Sequence, residues 1–269
     1  MIIAIDGPAA SGKSTVAKLV ARKLGFAYLD TGAMYRSVAW RALEEGLALG
    51  DPLPAATKTR IAQIATNEPI TFGYLSGEPL PSQVFIDGVD VTTNIRTPEA
   101  DKAVSPVSAD PGVRAALTEQ QRIIGRTQDT VMEGRDIGTI VFPDAELKVF
   151  LTATAEERAR RRYQQNVKKA EKASTLYTGL DEAGILADIH RRDAYDSSRE
   201  VAPLMQAPDA VEIDTTTMSI NAVVKAIAKL VESSTDQSAK LVENSTDQSA
   251  KLVESSACQS ANSSETHRA

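Results

Sequence analysis

Apolar residues recur along this chain with two different periods, and the switches between those periods mark its elements. Ile2 to Ile5 is a short unbroken apolar run, as in a strand of a parallel sheet buried on both faces. Beyond a glycine-containing stretch the period changes. Val16, Leu19, Val20 and Leu24 fall at i, i+3, i+4 and i+8 on one helix face, and Gly25 stands where that helix stops. Phe26 to Leu29 returns to strand character and ends at Asp30-Thr31-Gly32, after which Ala33 to Glu45 is helical in composition with Gly46 as its stop. Alternation of this kind predicts an α/β fold on a parallel sheet.

The texture then shifts. Residues from about 51 to 69 are punctuated by proline, with a helical stretch near Lys58 to Ala65. Pro69 to Tyr74 and Gln83 to Val91 are β-rich, and Asp87-Gly88 is a strong turn signal, so a small antiparallel insertion is expected here. Asp110-Pro111 reads as a helix cap followed by proline in the first turn, with Val113, Ala116, Leu117 and Ile124 as the apolar face. Thr130 to Met132 and Leu147 to Leu151 are two more apolar strands, the second leading into the capping box Thr154-Ala155-Glu156-Glu157 and an arginine-rich helix. A further helix is expected from about Asp181 towards Arg192, then a last core strand at Ala210 to Ile213. Ile220, Val223, Val224, Ile227 and Leu230 form a final amphipathic helix.

From residue 228 onward a repeat of period 11 runs through 228–238, 239–249 and 250–260. Such a period supports a right-handed supercoil where it is apolar enough. Here only one Leu-Val pair recurs per repeat amid Ser, Thr, Asp and Gln, too little apolar surface to offset ordering entropy. The expectation is one domain over 1–231 and a disordered tail over 232–269.

Composition narrows the function classes. A formal net charge of −6 argues against a protein that coats nucleic acid by bulk charge. The single cysteine, Cys258, excludes an intrachain disulfide and suits a reducing compartment. No apolar run approaches the roughly 18 residues of a membrane span, and the first strand begins without a basic leader. The chain is therefore expected to be cytoplasmic and monomeric, with no nucleic-acid or membrane partner.

The chemistry concentrates first in Gly7-Pro8-Ala9-Ala10-Ser11-Gly12-Lys13-Ser14-Thr15, which spells a glycine, four residues, then Gly-Lys-Ser. A glycine-rich loop at a helix N-terminus lets successive backbone N–H groups converge on phosphate oxygens, where the helix dipole favours negative charge. Lys13 can reach the outer phosphates as a point charge, and the Ser14 hydroxyl can ligate Mg²⁺. The order strand, loop, helix is the context this pattern requires.

Four further constellations follow. Asp30-Thr31-Gly32-Ala33-Met34-Tyr35-Arg36 lies at the end of the second strand, the edge where open parallel sheets bind ligands. Arg36 there is either a phosphate clamp or a surface arginine on a turn. Glu133-Gly134-Arg135-Asp136-Ile137-Gly138-Thr139 brings carboxylate and guanidinium to the same edge, as a structural ion pair also would. Arg158, Arg161 and Arg162 share one helix face, which fits either a solvated basic face or stabilisation of a phosphoryl-transfer transition state. Arg192, Asp196 and Arg199 share another, as surface i,i+4 salt bridges also would.

In these positions and this order the pieces closely resemble the bacterial cytidylate kinases, a branch of the nucleoside monophosphate kinases. The likeness is carried by Ile5 through Ser14, Leu29 through Arg36, Glu133 through Thr139 with Val141-Phe142-Pro143-Asp144-Ala145, and Arg192 through Arg199 with Ala202-Pro203-Leu204. It covers roughly residues 1 to 230. The resemblance implies a P-loop kinase fold: a five-stranded parallel sheet, a monophosphate-binding region at about 31–125 enlarged by an antiparallel insertion, and a short lid at about 154–175. It implies transfer of the γ-phosphoryl group of ATP to CMP or dCMP with Mg²⁺. By matching position, Thr31, Arg36 and Arg135 resemble partners of the acceptor phosphate, with Tyr35 in the same binding segment. Ser105, Arg114 and Asp136 resemble the cytosine site, and Arg192, Asp196 and Arg199 complete the nucleotide pocket. Lys13, Arg135 and the lid residues Arg158 and Arg162 are then the catalytic cations.

His190, His267 and Cys258 are left without a role. Other readings are a kinase of another small acceptor such as AMP, UMP or shikimate, and a GTPase-like switch. The second wants a guanine-reading Asn-Lys-x-Asp, which does not occur. The tail as an interaction segment is a third.

Overall fold

The computed structural model describes residues 1–234. The chain divides into two compact units, 1–227 and 228–269. In the second, residues 228–234 are helical, and most of the expected disordered tail, from 235 on, lies outside the described residues.

The first unit is built on five parallel strands in the order β2-β6-β1-β7-β8. These are β1 (Ile2–Asp6), β2 (Ala27–Asp30), β6 (Thr130–Glu133), β7 (Leu147–Thr152) and β8 (Val211–Asp214). Each is four to six residues long and three of them are almost wholly buried, which is why they read as unbroken apolar runs rather than alternating ones. β1 is central, and the chain crosses from it first to one side of the sheet and later to the other. That reversal opens a crevice at the carboxyl ends of the strands, the usual ligand site of such a sheet.

Helix α1 (Lys13–Leu24) follows β1 and buries Val16, Ala17, Val20 and Ala21, and it ends on Gly25 in the left-handed conformation. Helix α2 (Thr31–Glu44) starts two residues earlier than the composition suggests, because the Asp30 carboxylate accepts from Ala33 N at 2.9 Å and caps it. Helix α3 (Ala55–Asn67) leads into the expected antiparallel insertion, β3 (Ile70–Gly73), β4 (Gln83–Ile86) and β5 (Val89–Asp90), turned at Asp87-Gly88. Ile70, Val84 and Ile86 of this sheet join Met34, Ile61, Ile64 and Leu117 in one core cluster. Each fully buried side chain of this size contributes about 1.5–3 kcal/mol.

Helix α4 (Pro98–Ala109) is not legible in the pattern, because Pro106 sits inside it. Thr97 caps it, Pro98 opens it and Glu99 and Asp101 complement its dipole, and burial of Ala100, Ala103 and Val107 holds the helix despite the one break. Helix α5 (Pro111–Gly125) starts as expected at the Asp110 cap. After β6 the chain makes a π-helical turn over Ile137–Val141, held from below by Asp6, whose carboxylate accepts from Ile137 N at 2.9 Å and Gly138 N at 2.7 Å. Helix α6 (Ala155–Lys172) is capped by Thr154, and α7 (Glu182–Ser198) runs six residues beyond the expected Arg192, so that Arg192 and Asp196 stand on one helix and Arg199 just past its end. Residues 220–227 close the unit with helix.

Candidate active site

The phosphate loop is shaped by steric necessity. Gly7 has φ 146°, and a Cβ placed there would lie 2.1 Å from the Leu151 carbonyl oxygen of β7. No other residue fits between the two strands. Gly12, with φ 94°, caps α1 in the left-handed region, and no side chain caps that helix. Its first N–H groups therefore form the positive end of the helix dipole, with no side-chain cap on them among the described residues.

Lys13 is buried, and its Nζ donates to the Pro8 carbonyl at 2.7 Å, folding the side chain back across the loop. Burial holds its ammonium well below the usual lysine range, and Arg135 adds to that, against the attraction of Glu133 and Asp6. Ser14 Oγ donates to Glu133 Oε2 at 2.8 Å, and the other Glu133 oxygen accepts from the Tyr28 hydroxyl. Burial pushes the Glu133 carboxyl up.

Facing the loop across a cavity of about 230 Å³ is a wall of charged side chains. Lys13 and six arginines line it together with Asp30, Asp101, Glu133, Asp136 and Asp196. Five of those arginines are paired. Arg36 sits 3.2 Å from Asp30, Arg135 3.1 Å from Asp196, Arg199 3.4 Å from Asp196 and Arg162 3.1 Å from Asp101. The Arg114–Asp136 pair is almost wholly buried, with Arg114 also donating to the Ser108 carbonyl at 2.9 Å and stacking over the Tyr35 ring at 5.4 Å. Burial pushes the Tyr35 hydroxyl up to about 12. Arg192 forms no ion pair among the described residues, and burial pulls it below the usual arginine range. Alternating charge of this kind lets so many cations share one cavity.

Of the residues singled out in the sequence, Thr31, Tyr35, Arg36, Ser105, Arg114, Arg135, Asp136, Arg162, Arg192, Asp196 and Arg199 line this one cavity with Ala9, Ala10, Lys13 and Ser14. Arg158 does not. Its Nε donates to Ala153 O at 3.0 Å, Nη1 to Ala9 O at 3.1 Å, and the two terminal nitrogens together hold the Asp193 carboxylate at 3.1 and 2.6 Å. With every nitrogen engaged and the side chain buried, Arg158 ties α6 to the phosphate loop and to α7 instead of facing the cavity.

Sequence reasoning missed four participants. Asp101 was hidden with helix α4, and Asp193 by its place beside Arg192. Asp6 lies within the motif from Ile5 to Ser14 but has no role of its own there, Tyr28 carries no local pattern, and only the sheet brings the two beneath the site.

Comparisons with known proteins show the family. The cytidylate kinase family pattern matches residues 3–233. A cytidylate kinase of Lactiplantibacillus plantarum is 47% identical over 238 residues, covering 87% of this chain and 96% of that protein. One from Solibacter usitatus is 46% identical over 233 residues, covering 87% and 93%, and one from Halalkalibacterium halodurans is 46% identical over 232 residues, covering 86% and 97%. A phosphate loop, a paired arginine wall and identity sustained across nearly the whole first unit thus converge on one conclusion: the chain belongs to the cytidylate kinase family.

Proposed function

We propose that this cavity joins two nucleotides, with the γ-phosphoryl group of ATP transferred to CMP or dCMP to give ADP and CDP or dCDP. One observation carries the reading. A backbone-built anion cradle and a side-chain-built arginine wall face each other across a single cavity, as transfer between two phosphates requires. The acceptor is already an anionic phosphate, so no general base is needed, and positioning with charge neutralisation supplies the catalysis. In this reading the N–H groups of α1 and the Lys13 ammonium hold the donor phosphates. Thr31, Arg36 and Arg135 receive the acceptor phosphate, and Arg192, which forms no ion pair among the described residues, stands beside them. Arg162 approaches the transferring group from α6. Ser105, Arg114 and Asp136 read the base, and Asp196 with Arg199 orients the rest of the nucleotide.

The donor set suits magnesium. Ser14 and Glu133 offer adjacent hard oxygen atoms, and Mg²⁺ in such sites is held by one or two protein oxygens together with substrate phosphates. When bound, it neutralises charge developing on the phosphate oxygens. In this reading the enzyme acts on free cytoplasmic nucleotides as a single polypeptide. The test is ADP release measured with CMP, dCMP, UMP and AMP as acceptors. CMP and dCMP are expected to support turnover well above UMP and AMP, and equal rates with all four overturn the assignment of the acceptor.

A further inference from the structure

Tyr28 lies outside the cavity wall, yet its hydroxyl is bound to a residue that lines it. On β2 it pairs with Val131 of β6, so Glu133, two residues further along, projects from the same face of the sheet within reach of the ring's polar end. The ring is buried, with the Lys18 ammonium 5.3 Å from its centroid, and its hydroxyl donates to one Glu133 oxygen while Ser14 donates to the other. Both carboxylate oxygens are thereby assigned, and the terminal torsion of a glutamate, otherwise broad, is set. A consequence follows for Ser14. A hydroxyl has one proton and two lone pairs, and with the proton committed to Glu133 the lone pairs remain for a cation.

We propose that Tyr28 is a positioning residue, acting through Glu133 to orient the Ser14 hydroxyl and the carboxylate towards the divalent cation of a bound donor nucleotide. The inference rests on the Mg²⁺-nucleotide reading above and goes beyond it in assigning a role to a residue that touches neither nucleotide nor metal.

The experiment measures ATP binding to the full chain by calorimetry, once with chelator and once with Mg²⁺, for wild type, Tyr28→Phe, Glu133→Gln and the double variant. Phenylalanine keeps the ring and removes only the donor. Losing one hydrogen bond that reaches the metal only through Glu133, and so counts at about the ordinary net value, predicts that the affinity gained from Mg²⁺ falls by about threefold to tenfold in Tyr28→Phe, with metal-free ATP and CMP binding unchanged. Because Tyr28 acts through Glu133, its substitution adds nothing further in the Glu133→Gln background. Mn²⁺ in place of Mg²⁺ gives a second readout, a changed electron paramagnetic resonance spectrum of the bound ion in Tyr28→Phe.

An unchanged Mg²⁺ gain in Tyr28→Phe overturns the inference, as does a wild type whose ATP affinity ignores Mg²⁺. Equal losses of metal-free ATP and CMP binding also overturn it, by making Tyr28 a structural residue only. A wild type that binds ATP with this metal dependence but phosphorylates neither CMP nor dCMP leaves the inference standing and sinks the proposed reaction instead.

Discussion

The two faces of the cavity bind anions by different means. The phosphate loop works with backbone. Gly7 and Gly12 take conformations that place the start of α1 against the cavity, and its one charged side chain, Lys13, rests on the Pro8 carbonyl. The opposite wall works with side chains from α2, α4, α5, α6, α7 and the turn after β6, nearly all of them already engaged with carboxylates. A backbone cradle needs no counter-charge, since its partial charges are fixed by geometry. Guanidinium groups crowded into a half-buried space do need one. The contrast teaches that the loop is indifferent to what carries the phosphate, whereas the wall can discriminate, because each arginine–carboxylate pair has a polarity that a nucleotide must match.

The sharpest way to break this contrast is Lys13→Met, which keeps the volume and removes the loop's only full charge. Turnover is expected to fall by about 10²–10³, since a charge aimed at the transition state is worth roughly 3–4 kcal/mol, while circular dichroism and melting stay near wild type. Retention of more than a tenth of wild-type turnover would mean that backbone alone suffices.

Asp6 gives the next largest effect, on stability. It lies under the wall, and burial raises its carboxyl from 3.8 to about 6, more than its two backbone hydrogen bonds lower it. A group whose folded pKa is raised contributes stability that is complete below its unfolded pKa and lost as pH rises through the folded value. Two units correspond to about 3 kcal/mol. Melting of wild type minus that of Asp6→Asn should therefore decline between pH 4 and pH 6 and flatten above about pH 7. A difference independent of pH removes Asp6 as a titrating support.

Base selection is a third test, and it bears on the wall alone. Cytosine presents an amino donor and a ring acceptor where uracil presents the reverse. Asp136→Ala should lower kcat/KM for CMP more than for UMP, narrowing their ratio by about tenfold or more, because a mismatched or unpaired buried polar group costs roughly 1–3 kcal/mol. ATP affinity should stay as it is. If the ratio holds, other residues read the base.

The smallest effect belongs to the half-exposed pair between α4 and α6, Arg162 and Asp101. Asp101→Ala should change stability by under about 1 kcal/mol, as exposed pairs do. Loss of an Arg162 tether would appear as a changed KM for nucleotide with kcat little altered. A large melting shift would show that the pair is structural.

Much of this is legible in the amino-acid order. Buried parallel strands announce themselves as apolar runs, and capping at Asp110 and Thr154 placed the starts of α5 and α6 to the residue. Helix α4 escaped because local signals conflicted: an interior proline opposes helix, and only packing of Ala100, Ala103 and Val107 into the core settles the outcome. Arg158 shows the same limit for the site. Its spacing from Arg162 put both on one face of α6, but a helix face is wide enough for one to reach the cavity while the other turns to Ala9 and Asp193.

What the amino-acid order alone determined is therefore what depends on neighbours in the chain: the periods of the elements, their caps, and a phosphate loop whose chemistry is complete within nine consecutive residues from Gly7 to Thr15. Which carboxylate partners which arginine, and that a tyrosine on β2 sets the glutamate behind Ser14, was decided by the tertiary structure. Arg114 meets Asp136 across a separation of 22 residues and Tyr28 meets Glu133 across 105. Charge pairs form wherever folding brings their ends within a few ångströms, and no periodicity in sequence records that meeting.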